Sequence, residues 1–365
     1  MSAVRDSVWS EQDTTPDAIE GALRELLAER HAEHGGFAPA RVLNMVAFVE
    51  RQYSGEIANR LRGVGRYHAS RLVVLSYHPS QRSLDARVTV ASEGDPQPGE
   101  LALLRETVVV QVGAQHLNDL LTIVDPLLVS DMPTLMWWPH GHPQTLEALI
   151  SLAQAVLLDS IDEPAAGAAI DRACELSREL YVVDLAWLRS TPWRERIAAT
   201  FDPVPMRAEL GQITSVTVTH HPASAVPALL LLGWLSSRLA WQAMPLAGDG
   251  ALHGSASGPR GEIALRLRPA PALQVPGLQG LEIQTASGRL VRLDRGRGGL
   301  CAHRRDPDGR THTWTVLGAS RGEAGILGEG IRQALLRDPT YIPALTAARA
   351  MLPTDRPRQP KGAAQ

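Results

Sequence analysis

The side chains with the clearest chemical potential are two cysteines and a few closely spaced histidines. Cys301 and His303 are two residues apart in a segment that alternates like a strand, so both side chains face one side, as a thiol and its base would. No third residue orients the histidine, and we therefore expect no catalysis, although a thiol enzyme stays open as an alternative. Cys174 falls among apolar residues of a predicted helix, which indicates a buried structural thiol.

Two histidine pairs are candidates for metal binding. His140 and His142 flank a glycine, His220 and His221 are adjacent, and both pairs lie next to prolines. Neither pair has acidic or cysteine ligands at a spacing typical of metal sites. Because neighbouring residues of a strand point to opposite faces, the adjacent His220 and His221 cannot both bind one ion. The sequence predicts no metal site and histidines that lie in loops or face a partner.

Nucleotide-binding motifs are absent from the sequence. The first predicted strand is followed by the stretch 50–55, which reads ERQYSG and not GxGxxG, and GxxxxGK[ST] occurs nowhere. Without glycines the backbone cannot approach a diphosphate closely. The glycine-rich stretch 248–261 precedes a strand and not a helix, so we expect a mobile hairpin connection there. We predict no cofactor.

Tryptophan is the residue that stands out. Six of the eight lie between residues 137 and 241, and four of these fall in the segments 131–139 and 184–194. Tryptophan together with arginine is typical of interface hot spots, whereas core packing and a local ion pair are the structural alternative. Our partner-binding candidates are Trp137, Trp138, Pro139, Asp184, Trp187, Arg189, Trp193 and Arg194.

Composition limits the possible partners and compartments. The 365 residues carry a net charge of −3, which argues against general binding to nucleic acid or to an anionic membrane. The start lacks the pattern of a signal peptide, and the longest apolar run, 225–235, is about half of the ~20 residues that a membrane span needs. Two distant cysteines form no disulfide framework. We expect a cytoplasmic protein, and the sequence leaves its oligomeric state open.

The pattern of apolar residues predicts two different domains. Between residues 41 and 159, short apolar runs alternate with amphipathic helices, as in a parallel sheet covered on both faces, and 84–90 alternates like a half-exposed edge strand paired with 107–112. After residue 213, one strand and one apolar helix precede several alternating strands joined by tight turns. A helix from Ser320 and another after Pro339 follow.

We therefore predict an α/β plus α+β protein, with an N-terminal mixed, centrally parallel sheet with helices and a C-terminal antiparallel-sheet domain with packed helices. The expected boundaries give an N-terminal helical arm at 1–37, an α/β domain at 38–167, linker helices and an α+β domain with an antiparallel meander at 168–352, and a disordered tail at 353–365.

Several of these segments resemble one protein family. The first strand at 41–46, the strand entry at 67–75, the double tryptophan-proline segment 131–139, the segment 184–194 and the pair Phe201-Asp202 resemble the glucose-6-phosphate dehydrogenase assembly protein family, OpcA. The resemblance runs in order from Arg41 to Leu352. Ala69 stands where the family usually has proline after the histidine, which concerns the geometry of the strand entry.

The resemblance implies a non-catalytic partner of glucose-6-phosphate dehydrogenase that promotes its oligomeric assembly and raises its activity by favouring a state with high affinity for glucose 6-phosphate. Redox control through cysteines, found in some members, is not carried over to a chain with only Cys174 and Cys301. The alternative is a sensor of sugar phosphates or nucleotides. It would bind its ligand near Ser76, His78 and Arg82 at the carboxyl ends of the parallel strands, with Arg71 as a structural neighbour.

Overall fold

The computed structural model describes residues 6–33, 41–62, 70–93, 103–141, 143–317 and 322–353. The chain forms two compact units that exchange segments. The first unit contains 1–162, 176–188 and 321–337, and the second contains 163–175, 189–320 and 338–365. Each unit consists of three separate stretches of the chain. The domain boundaries that we expect from the sequence divide the chain at single points, and they stay a prediction. The expected tail from 354 onward, the strand-entry residues 67–69, His142 and the Ser320 cap lie outside the described residues.

An eight-stranded sheet forms the first unit's centre, in the order β1-β4-β5-β3-β2-β6-β7-β8. The strands from β5 to β8 in this order run parallel, and β4 pairs antiparallel with both β5 and β1. The predicted mixed sheet with a parallel centre and an antiparallel edge is confirmed. The strands are β1 (Ser7–Glu11), β2 (Leu43–Glu50), β3 (Ser70–Tyr77), β4 (Asp85–Glu93), β5 (Leu103–Val112), β6 (Thr134–Trp137), β7 (Ala155–Leu158) and β8 (Tyr181–Asp184).

Several of the α-helices lie where the apolar pattern predicts a helix. In the first, the Ala18 N–H donates to the Thr15 hydroxyl at 3.3 Å, as expected for an N-cap, and Ile19 and Leu23 are buried. The helices of the described residues are α1 (Pro16–Glu33), α2 (Ser54–Arg62), α3 (Leu120–Val124), α4 (Pro143–Leu149), α5 (Ala166–Leu176), α6 (Leu185–Arg189), α7 (Thr191–Phe201), α8 (Val204–Leu210), α9 (Ala225–Arg238), α10 (Gly322–Leu336) and α11 (Tyr341–Ala350).

The apolar residues Leu117, Leu120, Leu121 and Val124 predict one α-helical face over 117–124, and this prediction needs a correction. The backbone forms a 3₁₀ helix at Ala114–Asp119 and becomes α-helical only in α3. A 3₁₀ helix has three residues per turn instead of 3.6, so residues with α-helical spacing do not all lie on one face of it. Leu120 and Val124 are buried as expected, but Leu121 is 40% exposed.

A second eight-stranded sheet, in the order β10-β11-β12-β9-β13-β14-β15-β16, forms the centre of the second unit. Its only parallel pair among the described strands is β9 with β12, and the meander from β13 to β16 is antiparallel, as predicted. The strands are β9 (Ile213–His220), β10 (Gln242–Ala243), β11 (Leu252–Gly258), β12 (Gly261–Pro269), β13 (Leu278–Thr285), β14 (Leu290–Gly296), β15 (Gly299–Arg305) and β16 (Thr311–Leu317).

The expected loop at 248–261 is partly wrong, because it contains strand β11. Five of its seven residues are glycine, serine or alanine, and only Ala256 is buried, so the usual signal of alternating large apolar residues is missing. Gly254 lies close to the segment before it, since a Cβ there would be 2.8 Å from Leu246 Cδ2 and 3.1 Å from the Pro245 carbonyl oxygen. A glycine that permits this close approach lowers the strand propensity of a segment that nevertheless pairs with β12.

The helices of the second unit cover one face of its sheet. Helix α9 carries the apolar run 225–235, packs on β9 and β12, and in turn contacts α11. The sheet residues beneath are apolar and buried, for example Val216, Leu265 and Ile283. In the parts of the chain that the structure describes, no helix is long and apolar enough to cross a bilayer.

Candidate functional site

The candidate site lies at the carboxyl edge of the first sheet, where β2 and β6 are parallel neighbours. A 3₁₀ turn, Arg51–Tyr53, follows β2 and leads into α2, while the double-tryptophan segment follows from β6. In parallel sheets this edge is where ligands and functional loops collect. The side chains that leave these two strands therefore meet in one place.

Tyr53 and His140 form an aromatic stack at this edge. Their ring centroids are 4.0 Å apart with an interplanar angle of 27°, and His140 Nε2 lies 3.7 Å from Glu56 Oε2. The backbone of His140 has φ 72°, and Gly141 has φ 100°. Left-handed backbone is uncommon outside glycine, and such residues cluster at functional sites. The turn holds the imidazole against the tyrosine ring, and part of its surface stays exposed.

Trp137 is the last residue of β6 and is 1% exposed. The Arg60 guanidinium carbon is 5.0 Å from the centroid of the Trp137 ring, a cation–π geometry. The same guanidinium lies 3.8 Å from Glu56 and 3.6 Å from Glu323, so it joins α2 to α10. Arginine, tryptophan and two half-exposed carboxylates form one charged and aromatic cluster.

Trp138 and Pro139 are placed differently from Trp137. Trp138 is half-buried, and its indole N–H donates to the Thr145 hydroxyl at 2.8 Å, while Pro139 is buried. The two tryptophans thus divide between core and surface, with Trp138 just beyond the end of the strand. We call Tyr53, Glu56, Trp138 and His140 the edge patch; each of these side chains is half-buried or exposed.

Asp184 is 1% exposed and ends strand β8. The Ser160 hydroxyl donates to Asp184 Oδ2 at 2.5 Å, and the backbone N–H groups of Ser160 and Ala186 donate to Oδ1 at 3.2 and 2.9 Å. Burial raises the pKa of the Asp184 carboxyl to about 6, and the charge of Asp159 adds to the shift. Through these hydrogen bonds Asp184, at the end of β8, joins the segment after β7 to the start of α6. Its role in this arrangement is structural.

The remaining candidates are mostly buried. Trp187 and Trp193 are 2% and 5% exposed, so their indoles cannot touch a partner directly. Arg194, 8% exposed, donates from Nη1 to the Ser190 hydroxyl at 2.8 Å and from Nη2 to the Thr191 hydroxyl at 3.0 Å. Burial lowers the pKa of Arg194 to about 10, so it stays charged at neutral pH. Arg189 is half-exposed.

Sequence reasoning missed Tyr53, Glu56 and Arg60. Tyr53 and Glu56 follow the first predicted strand, and His140 follows a later one, so a parallel pairing of these strands would have brought them to the same edge. On sequence grounds His140 stands out mainly as a candidate metal ligand beside His142. In the described ranges, no three His, Cys, Asp or Glu side chains are grouped closely enough to hold a metal ion.

Two alternative sites are also visible. Cys301 and His303 do share one face of β15, with Cys301 Sγ 3.8 Å from the Thr315 hydroxyl and His303 Nδ1 3.1 Å from the Thr313 hydroxyl. His303 Nε2 is also 3.9 Å from Asp294 Oδ2. The thiol and the imidazole are therefore each paired with a neighbouring strand on an open sheet face.

The sensor alternative has less support in its geometry. His78 Nδ1 lies 2.8 Å from the Ser80 hydroxyl, while Arg82 is exposed. Arg71 is buried at the opposite end of β3, where it donates to Glu106 at 2.7 Å and to the Leu127 carbonyl at 3.1 Å. Arg71 is thus a structural residue, as expected.

The chain matches two models of one protein family. Residues 62–175 match the model of the N-terminal domain, and residues 180–345 match that of the C-terminal domain, of what the family description calls the glucose-6-phosphate dehydrogenase subunit. Together these ranges take in most of the 365 residues.

Among similar curated proteins are those of Synechococcus elongatus and Nostoc punctiforme, each bearing the provisional name OxPP cycle protein OpcA. They are 28% identical over 141 and 161 residues, which is 38% and 43% of this chain. The matched part spans only 32% and 35% of the length of these relatives.

Solved structures with a related outline include the WlbA (WbpB) dehydrogenase of Thermus thermophilus and an oxidoreductase of Bacillus cereus. They are 14% and 11% identical, with TM-scores of 0.44 and 0.46. The alignments cover 84% and 85% of this chain and 94% of each of the others. Values this low support no transfer of activity.

Proposed function

Because the chain belongs to the glucose-6-phosphate dehydrogenase assembly protein family (OpcA), we propose that it is a non-catalytic partner of this enzyme in the oxidative pentose phosphate pathway. It binds glucose-6-phosphate dehydrogenase, favours the active oligomer and raises its affinity for glucose 6-phosphate. The observation that carries the proposal is the match of both family models along 62–175 and 180–345. The names of the curated relatives support the pathway.

Such an activator needs no active site of its own. It must bind one conformation or oligomer of the dehydrogenase more tightly than the others. A coupling free energy of ~1–3 kcal/mol changes substrate affinity by about 5–150-fold. Since this coupling is reciprocal, glucose 6-phosphate tightens the complex by the same factor.

The edge patch is our proposed contact surface. Tyrosine, tryptophan and histidine rings that are partly exposed, with a carboxylate beside them, supply both the apolar area and the polar contact of a hot spot. His140 is already held against Tyr53, so little conformational entropy is lost on binding. Trp187, Trp193 and Arg194, being buried, support the fold and act on the interface only through the elements that they hold.

The test mixes this protein with the glucose-6-phosphate dehydrogenase of the same organism. Dehydrogenase activity is followed against glucose 6-phosphate concentration, and size exclusion shows whether the two chains co-elute. We expect co-elution and a lower apparent KM. Tyr53→Ala and His140→Ala should weaken binding by about tenfold or more, the range of a hot-spot residue. His312→Ala, which removes another exposed histidine, serves as the matched control.

Unchanged kinetics and separate elution would contradict the proposal. In that case a thermal-shift screen with sugar phosphates and nucleotides becomes decisive for the sensor alternative, since only a sensor is stabilised by the small molecule without a protein partner.

A further inference from the structure

One face of the first sheet carries a layer of helices that ends before the sheet does. On this face α10 contacts β7 and β8, and the neighbouring α2 contacts α10 and β2. Helix α2 joins β2 to β3, but the chain passes from β3 to its parallel neighbour β5 through the strand β4. Connections between parallel strands usually place a helix on the sheet. In the described part of the chain, no helix takes the next position on this face, over β3 and β5.

A row of paired residues shows where the cover ends. Leu157, which lies against α10, and Trp137, which lies against Arg60 of α2, are each 1% exposed. Farther along the row Val74 and Val109 are only half-buried. The strand register aligns the row on one face of the sheet as Leu157, Trp137, Ala47, Val74, Val109 and Arg87.

The uncovered strip forms a groove of about 350 Å³ beside α2. Its wall is one side of α2, and its floor is formed mainly by β3 and β5. On the opposite face of these two strands Val73 and Val108 are 0% exposed, so the same strands are fully covered there. The apolar lining residues, which we call the α2 groove, are Ile57, Ala58, Leu61, Leu72, Val74 and Val109.

The groove has the position and length of one more helix. β3 has eight residues, which at about 3.3 Å per residue equals roughly 17 residues of α-helix. The longest stretches outside the described residues, 354–365 and 94–102, have twelve and nine residues. The first has no Val, Leu, Ile, Met or aromatic residue, and the second has two prolines, which interrupt a helix. Within these 365 residues, neither stretch supplies an apolar helix of this length.

A second copy of the chain offers no suitable helix either. An amphipathic helix needs apolar residues three and four positions apart, because only these share one face. The exposed large apolar residues of the described helices are single residues or one adjacent pair. They are Leu121, Val204, Leu335, Leu336 and Ile342.

We infer that the α2 groove receives an amphipathic helix of glucose-6-phosphate dehydrogenase, in the way a helix binds in a groove. The inference rests on the proposed function and gives its interface a second part. Tyr53 and Glu56 of the edge patch and Ile57 of the groove lie within the stretch 53–57, so one partner contacts both surfaces. The helix places apolar residues on Val74 and its neighbours, and it brings a carboxylate to the exposed Arg87 at the rim.

The test measures the Kd of the complex between the full chain and the dehydrogenase of the same organism, by biolayer interferometry. Val74→Arg places a long charged side chain in the groove and should weaken binding at least tenfold, because the complex would bury an unpaired charge. Thr214→Arg is the matched control. It introduces the same side chain at an exposed β-branched residue of β9, in the second unit, and should leave the Kd unchanged.

Arg87→Glu tests the rim of the groove without filling it. Arg87 is exposed on β4, and reversing its charge should weaken binding by about two- to fivefold, the range of an exposed ion pair. Arg310→Glu, which reverses an exposed arginine of the second unit, is the control. Hydrogen exchange of the dehydrogenase should show that binding protects a helical peptide with apolar residues three and four positions apart and a carboxylate.

Circular dichroism and thermal unfolding like those of the unsubstituted chain show that each variant is folded, and if Val74→Arg is not, the comparison at Arg87 decides alone. Groove and rim variants that bind as tightly as the unsubstituted chain overturn the inference and leave the proposed function standing. Controls that weaken binding as much as their counterparts do the same. A dehydrogenase that forms no complex with the unsubstituted chain overturns both.

Discussion

Asp184 is the residue whose environment most clearly changes its chemistry. Its carboxyl is buried, and three hydrogen-bond donors surround it. Burial disfavours the charged form and dominates over these donors, so the folded pKa is about 6 against an ordinary value of 3.8. The native state therefore binds more protons than the unfolded state between these two values. Stability is fully present below pH ~4 and is lost as the pH rises through about 6.

Asp184→Asn should remove this pH dependence. The amide oxygen can accept the same backbone donors, and the amide N–H can donate to the Ser160 hydroxyl. Since one pKa unit is worth about 1.4 kcal/mol, the carboxyl makes the unsubstituted protein lose about 3 kcal/mol between pH 4 and pH 7. Urea unfolding at both pH values measures the free energy of unfolding. The free energy of unfolding of Asp184→Asn, relative to that of the unsubstituted protein, should rise by about 3 kcal/mol from pH 4 to pH 7.

Asp202→Asn is the matched control for this measurement. Asp202 is an exposed carboxyl whose ion pair with Arg207 lies in solvent, so its substitution should leave the pH dependence of stability as it was. An Asp184→Asn protein that loses stability in parallel with the unsubstituted chain would mean that the carboxyl is charged in the folded state even at low pH.

Residue types in the sequence predicted part of the edge. The double-tryptophan segment stands out by its residue types, and it does lie at this edge, with Trp137 in the core and Trp138 half-buried. The Tyr53–His140 stack could not be foreseen, because it depends on which strands are neighbours in the sheet and on a left-handed turn at a non-glycine residue. Neither property is visible in the local sequence.

At the scale of elements, the pair α9 and α11 shows how close packing restricts a helix. A Cβ added at Gly233 in α9 would lie 2.2 Å from the Ala344 carbonyl oxygen and 2.9 Å from the Ala348 nitrogen of α11. Both neighbours are helical backbone, which cannot give way as the end of a long side chain can. The two helices therefore touch at a position that only glycine permits.

Gly233→Ala and Gly21→Ala should change stability in opposite directions. A Cβ at Gly21 in α1 meets nothing within 4 Å, so alanine should stabilise the helix by about 0.5–1 kcal/mol through its better helix propensity. Gly233→Ala must push α11 away and should cost about 1–3 kcal/mol, as overpacking does. Thermal and urea unfolding measure both. Equal effects of the two substitutions would show that the helix contact yields easily.

Most long elements could be predicted from the sequence, but short or unusual strands such as β1, β8 and β11 could not. The apolar run of β2 and the alternation of β12 have strong periodicity, and the structure has strands at both places. β1 lies within the expected helical arm, β8 has four residues, and β11 has glycines and serines, so none carries enough pattern. Their pairing with a neighbouring strand decides their conformation, and that pairing is a property of the sheet.

At the scale of the whole molecule, the chain crosses between its two units several times. Helix α10 comes after the second sheet in sequence but belongs to the first unit, where Leu327 and Ile331 are buried. It contacts α2, β7 and β8. A Cβ at Gly330 would lie 2.8 Å from the Leu157 side chain, which shows how closely α10 lies on the sheet. Linear patterns of composition do not reveal such an exchange, and the predicted boundaries were therefore single points.

Two truncations should separate the roles of the last helices. A chain that ends at residue 337 keeps α10 and loses α11, whereas one that ends at residue 320 loses both. We expect the amides of β7 and β8 to be protected from hydrogen exchange in the longer chain and to exchange faster in the shorter one. Mass spectrometry of peptides covering 155–158 and 181–184 provides the measurement. Equal protection in both chains would mean that α10 contributes little to the first unit.

The late position of α10 also sets an order of events on the ribosome. All eight strands of the first sheet have been synthesised by Asp184, but α10 begins only at Gly322. At about 5–20 residues per second, roughly 140 residues of further synthesis take about 7–28 s. During this interval α10 does not yet cover the leucine side chains that it later contacts, such as Leu157. The second sheet emerges in the same interval and can fold. We expect such a nascent chain to need a chaperone that shields this apolar surface until α10 has been synthesised.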